Sequence, residues 1–122
     1  MSKAWKLRVI RLMTDDKFTF MDWEAMVSPD GLLAIHRPIN DVPGYKITAA
    51  SVGYSLCRCK TQIRAMAIAK ELLRHYAVRE ALRLKDPLKM VEKFPPEARR
   101  WLFDTFKSEA DPGPLVLTKE AK

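Results

Sequence analysis

Cys57 and Cys59 stand one residue apart in Tyr54-Ser55-Leu56-Cys57-Arg58-Cys59-Lys60, and each is followed by a base. Thiolates that close are ligands for zinc or partners in redox exchange, and flanking cations lower a thiol pKa. A structural zinc needs about four ligands, as a rule in two close pairs. This chain has one pair of cysteines and two histidines, so a zinc set would have to be Cys57, Cys59, His36 and His75, drawn together from separate elements. The spacing is also not the Cys-x-x-Cys of dithiol exchange. Alternate residues of a strand share a face, so the expectation is two buried structural cysteines, with no metal and no other cofactor.

Other reactive groups are sparse. Asp15-Asp16 are paired carboxylates, but they sit in a polar break between apolar stretches and read as solvated loop acids. Asp22 and Glu24 alternate along one strand face, where water-facing acids are ordinary. His36 and His75 have no nucleophile nearby in sequence and read as structural or solvated. Four glycines, each explicable as a turn, leave none for a phosphate loop. The expectation is a protein that is not an enzyme.

The remaining signal is charge. The chain of 122 residues carries a net charge of +7, and residues 56–85 hold eight bases against two acids, Glu71 and Glu80. Residues 1–17 are mildly basic, residues 18–55 slightly acidic, and residues 86–122 balanced. Such asymmetry makes a local positive field that steers toward phosphate or toward an acidic protein surface. The candidate nucleic-acid-binding residues are Arg58, Lys60, Arg64, Lys70, Arg74, Arg79 and Arg83. Lys6, Arg8 and Arg11 add a second basic strip on the first strand, and Tyr45 and Tyr54 are aromatic groups that either stack on bases or pack in the sheet.

The elements that must position these residues follow from periodicity. From Trp5 to Val9 the chain alternates, with Trp5, Leu7 and Val9 on one side and Lys6 and Arg8 on the other, which predicts a half-buried strand. Phe18 to Val27 predicts a second strand, with Met21, Trp23, Ala25 and Val27 facing the core. Ser28-Pro29-Asp30-Gly31 is a turn, because Pro29 fixes φ and Gly31 accepts a positive one. Leu32–Arg37, Tyr45–Ala50 and Tyr54–Cys59 complete the strands. Thr61 is positioned to cap a helix whose apolar face holds Ala65, Met66, Ala69, Leu72, Leu73 and Tyr76, running to about Leu84. Asp86-Pro87 starts a second helix with Leu88, Val91 and Phe94 inward. Pro96 starts a third, holding Ala98, Trp101, Leu102, Thr105 and Phe106.

The expected fold is therefore α+β: an antiparallel sheet of about four to five strands packed on one long helix, followed by two shorter helices. Residues 1–110 form a single domain, with the sheet over about 5–59 and helices over about 61–108. Residues 111–122 are a flexible tail, in which Leu115-Val116-Leu117 is suited to a sheet edge. No apolar run reaches the length of a bilayer span, the N-terminus does not read as a signal peptide, and two cysteines make no disulfide framework. A cytoplasmic protein without membrane attachment is expected.

Strands followed by Lys60-Thr61-Gln62-Ile63-Arg64-Ala65 at a helix start resemble the amino-terminal arm-binding domains of phage-type integrases. Those domains pass from a last strand through Lys-Thr to an alanine-bearing helix. The resemblance spans residues 18–80 and implies a DNA-binding module whose sheet enters the major groove. Two further helices follow here where those proteins carry a catalytic domain. Small size, basic charge and the lack of an evident catalytic set are also similar to accessory proteins of phages and mobile elements, the anti-CRISPR inhibitors among them. The leading expectation is a non-enzymatic nucleic-acid-binding accessory protein, with DNA ahead of RNA. The alternative is an inhibitor or adaptor that binds an acidic host protein surface, with a homodimer left open.

Overall fold

The computed structural model describes residues 4–13, 19–39 and 43–106. Asp15-Asp16, the start of the second strand at Phe18 and the tail over 111–122 lie outside the described residues. The elements run β1 (Lys6–Met13), β2 (Phe20–Val27), β3 (Leu33–His36), β4 (Tyr45–Ala49), β5 (Tyr54–Cys59), α1 (Gln62–Leu73), α2 (Tyr76–Leu82), α3 (Pro87–Lys93) and α4 (Pro96–Phe106). The strands form one antiparallel sheet in chain order, β1-β2-β3-β4-β5, so the fold is α+β as expected.

The β2–β3 hairpin forms as its turn chemistry requires. Gly31 takes φ +76°, and Ser28 N–H donates to Leu33 O at 2.8 Å. The Ser28 hydroxyl donates to Asp30 Oδ1 at 2.6 Å, and Asp30 Oδ1 accepts from Leu32 N–H at 3.1 Å.

Cross-strand pairing fixes the faces. Leu33 opposite Ala49, Ile35 opposite Ile47 and Ile47 opposite Cys57 stand toward the helices. They pack with Ala65, Ile68, Ala69 and Leu72 of α1, Val78, Ala81 and Leu82 of α2, Met90 of α3 and Leu102 of α4 in the main core. A register irregularity between Ile47 and Thr48 makes Leu56 an extra residue on β5, and both Leu56 and Cys57 are buried. The other face of the sheet is concave. The sheet curls until Met13 N–H, at the end of β1, donates to Gly53 O in the β4–β5 turn at 3.1 Å. Gly53 has φ +71°, and a Cβ there would meet Arg11 O at 2.4 Å, so only glycine lets the two segments approach. Small residues, Ala25, Val27 and Ala34, fill the inside of the curl, with Ile10 and Ala50 against them.

Three expectations are corrected. The face of β1 is inverted: Leu7 and Val9 are 61% and 65% exposed, while Ile10 and Leu12 turn inward. The helices lie over β3–β5, so among the described residues no layer covers the outer face of β1 and β2, and the concave face becomes the inside. The one long helix is two, divided at Arg74 and His75, with His75 extended at φ −94°, ψ 122°. Leu72 and Val78 are both fully buried, yet six residues apart on a straight helix they would point about 120° away from each other. The break resolves that conflict, and it leaves Tyr76 exposed. In α3, Met90 and Phe94 are buried and Val91 half-buried, but Leu88 is exposed. Asp86 caps that helix through Oδ1, with Pro87 in its first turn, and Pro96 opens α4, as read from the sequence. Among the described residues no helix is long and apolar enough to cross a membrane.

Candidate nucleic-acid interface

The junction of β5 and α1 is built by local hydrogen bonds. Thr61 is extended and its hydroxyl accepts from Arg64 N–H at 3.1 Å, satisfying one of the unpaired donors of the first helical turn. Ala65, Ile68, Ala69 and Leu72 then form the buried stripe. Because Ile68 joins it and Met66 and Leu73 are only half-buried, the stripe is rotated relative to the sequence-based expectation. Ile63, Ala67, Lys70 and Arg74 consequently line the middle of the solvent face, with Arg64 at one edge of it, and Ile63 is 85% exposed.

The seven candidate bases separate into two groups. Arg58 is half-buried and donates to Pro43 O. Arg74 pairs with Glu71 at 3.2 Å, its side chain 76% exposed, and Glu71 also faces His75 at 3.7 Å. Arg79 donates to Leu73 O at 2.6 Å and lies over the Tyr76 ring at 5.8 Å. It thereby satisfies a carbonyl freed by the helix break, which is a structural task. Arg83 pairs with Glu80. Lys60, Arg64 and Lys70 are exposed, and no carboxylate among the described residues pairs with them. The broad basic surface expected along one long helix thus contracts to Arg64 and Lys70 on α1 and Lys60 just before its cap, with Arg74 at its end held in a surface ion pair.

The cysteines and histidines stay apart. Cys57 and Cys59 are buried on the helix-facing side, while His36 is buried on the concave side and His75 is exposed at the start of α2. Among the described residues, no three His, Cys, Asp or Glu side chains come together as metal ligands would. His36 Nδ1 is 2.8 Å from Arg37 O and Nε2 is 2.7 Å from Thr48 Oγ1. A carbonyl only accepts, so Nδ1 carries the proton and Nε2 accepts from the Thr48 hydroxyl. Burial lowers the His36 pKa below its usual 6.5; the Arg37 carbonyl opposes that shift, and the nearby Lys46 charge adds to it. Trp23 Nε1–H donates to the same Arg37 carbonyl at 2.9 Å, tying β2 to the end of β3.

Asp22 and Glu24 are exposed on the outer face of β2, opposite Arg11 and Val9. Tyr45 and Tyr54 are half-buried against the main core, and Arg37 lies over the Tyr45 ring at 5.2 Å, so they serve the sheet. What the sequence concealed is the placement of Lys6 and Arg8. They pair with Val27 and Ala25, and so stand on the concave face. Strand alternation put them together on one side but gave no sign that this side would be the inner one.

Comparison with protein-family models, with curated proteins and with solved structures finds no match to this chain.

Proposed function

We propose that this protein is a nucleic-acid-binding accessory protein without chemistry of its own, and that α1 is the element laid along the phosphates. The observation that carries this reading is the exposure of Arg64 and Lys70 on α1 and of Lys60 just before it, none of them paired with a carboxylate among the described residues. Arg64 and Lys70 are six residues apart, about 9 Å along the helix axis and about 120° around it, so they stand on either side of the midline of the solvent face. That is the axial reach of between two and three phosphates on one strand. Arg74 joins them once its ion pair with Glu71 opens. Such exposed pairs are worth at most about 1 kcal/mol, and a phosphate is a competing partner. Duplex DNA is the first ligand to test, then single strands and RNA. Arg64→Glu/Lys70→Glu is expected to weaken binding of a mixed-sequence duplex by at least about tenfold at low salt. Unchanged binding and unchanged salt dependence would overturn the reading.

A second reading, a protein-binding inhibitor or adaptor, draws on a different observation. Leu7 and Val9 project from edge strand β1, and among the described residues no layer lies over them. An edge with apolar side chains is a template for an added strand. Affinity capture before and after nuclease treatment separates the two readings. Material lost with nuclease supports the first, and a retained specific protein supports the second.

A further inference from the structure

The concave face of the sheet opens at one end into a cleft of about 950 Å³, lined by the start of β1, the β2–β3 turn, the β4–β5 turn and Lys85. Along the inner face of β1 the residues run Lys6, Arg8, Ile10, Leu12, so cations stand at the mouth and apolar groups stand further in. Ile10 forms part of the cleft wall beyond the two cations, and Val27 stands opposite Lys6 on the same face. Lys85 enters from a different layer, the connection between α2 and α3. Its position is fixed because the Ser51 hydroxyl lies 3.0 Å from both Leu82 O and Leu84 O, holding the end of α2 against the β4–β5 turn.

Inward-pointing cations on an edge strand can serve only to discourage strand pairing. That account does not explain a third cation brought to the same cleft from the helical layer. Neither Lys6, Arg8 nor Lys85 pairs with a carboxylate among the described residues. Among the described residues the acid in the cleft wall is Asp30, and it is engaged by the Ser28 hydroxyl and Leu32 N–H. Three cations around one concavity, with an apolar wall behind them, match an anion that carries a flat apolar body. The volume falls within the range of small-molecule sites.

We infer that this cleft binds a nucleotide phosphate, with Lys6, Arg8 and Lys85 on the phosphate oxygens and the base against Ile10 and Val27. The same chemistry is offered by a free nucleotide and by the 5′-phosphorylated end of a single strand. The cleft lies at the end of the sheet opposite the β5–α1 junction. The six residues of β5 separate the two by roughly 20 Å. The inference therefore goes beyond the α1 reading and does not depend on it.

The test is a titration of the full chain with ATP, and with a short single-stranded oligonucleotide bearing either a 5′-phosphate or a 5′-hydroxyl. Saturable 1:1 binding of ATP, of the 5′-phosphorylated strand or of both is expected. Lys6→Gln/Arg8→Gln is expected to weaken it by at least about tenfold, and Lys85→Gln by several-fold, as charge-assisted bonds to phosphate are lost. Lys6→Arg/Arg8→Lys keeps the charge and is expected to retain most of the binding, and unchanged thermal unfolding of each variant verifies the fold. A preference for the 5′-phosphorylated strand over ATP identifies the strand end as ligand, and the reverse identifies the free nucleotide. Arg64→Glu/Lys70→Glu leaves ATP binding unchanged, so loss of duplex binding and loss of nucleotide binding are read separately. No saturable binding of either phosphate ligand, or binding that survives Lys6→Gln/Arg8→Gln, overturns the inference.

Discussion

The sheet has two halves written in the same alternating pattern and used in opposite ways. In β3–β5 one face carries Leu33, Ile35, Ile47, Cys57 and Cys59 into a core closed by four helices. In β1–β2 the corresponding outer face shows Leu7 and Val9 to solvent, and the concave face holds Ala25, Val27 and Ile10. Alternation states that two faces differ. Which of them is inside depends on where the covering layer ends, and here it ends at β3. The uncovered half is closed from within by curling, pinned at Gly53.

Four perturbations break or sharpen this contrast, from the largest effect to the smallest. Phe94→Ala, in the helix-covered half, removes one of the largest fully buried side chains. It is expected to cost about 3–5 kcal/mol in urea unfolding. Gly53→Ala attacks the closure of the curl, combining a positive φ with a Cβ that collides with Arg11 O. A loss of about 1–3 kcal/mol is expected, together with faster amide exchange at Met13, whose N–H bonds to Gly53 O. If Gly53→Ala proved neutral, the curl would not depend on that approach.

The third perturbation is acid, acting on His36 inside the curl. Its folded pKa lies below the unfolded value near 6.5, because burial disfavours the charged ring. Above pH 6.5 the ring is neutral in both states and its hydrogen bonds to Arg37 O and Thr48 are intact. As pH falls below 6.5 the unfolded chain takes up the proton first, so stability is lost, and the loss is complete once pH is below the folded pKa. Urea midpoints at pH 7.5 and 5.5 should show this fall in the wild type and a smaller one in His36→Gln. An equal fall in both would remove His36 from the account. The smallest effect is expected from Leu7→Ser and Val9→Thr, on the uncovered outer face, within about 0.5 kcal/mol of wild type. A loss of 2 kcal/mol or more would mean that this face is covered in solution.

Much of the fold was legible because its signals are local. Pro29 and Gly31 mark the hairpin, Thr61 and Asp86 cap helices, and Pro87 and Pro96 stand where helices begin. The split of the helix was legible in part: the step from Leu72 to Val78 leaves the three-and-four spacing of one stripe, and Val78, Ala81 and Leu82 start another. The ion pairs of Arg74 with Glu71 and Arg83 with Glu80 follow from spacings of three residues. The role of Arg79 was not legible, since Leu73 O needs a donor only after the helix has broken. The cleft was hidden for a similar reason: it unites β1, two turns and Lys85 through a curl that no local pattern announces.

The most direct test of α1 as the phosphate-binding element is the slope of log K against log salt for a mixed-sequence duplex. Wild type is compared with Lys60→Gln/Arg64→Gln/Lys70→Gln and with Arg83→Gln. Each phosphate contact contributes about 0.9 to the slope. The triple variant should therefore flatten it by about 2 to 3, while Arg83→Gln, at the end of α2 beyond the helix break, should leave it nearly unchanged. A triple variant with the wild-type slope, or an Arg83→Gln slope that falls as far, would contradict the account.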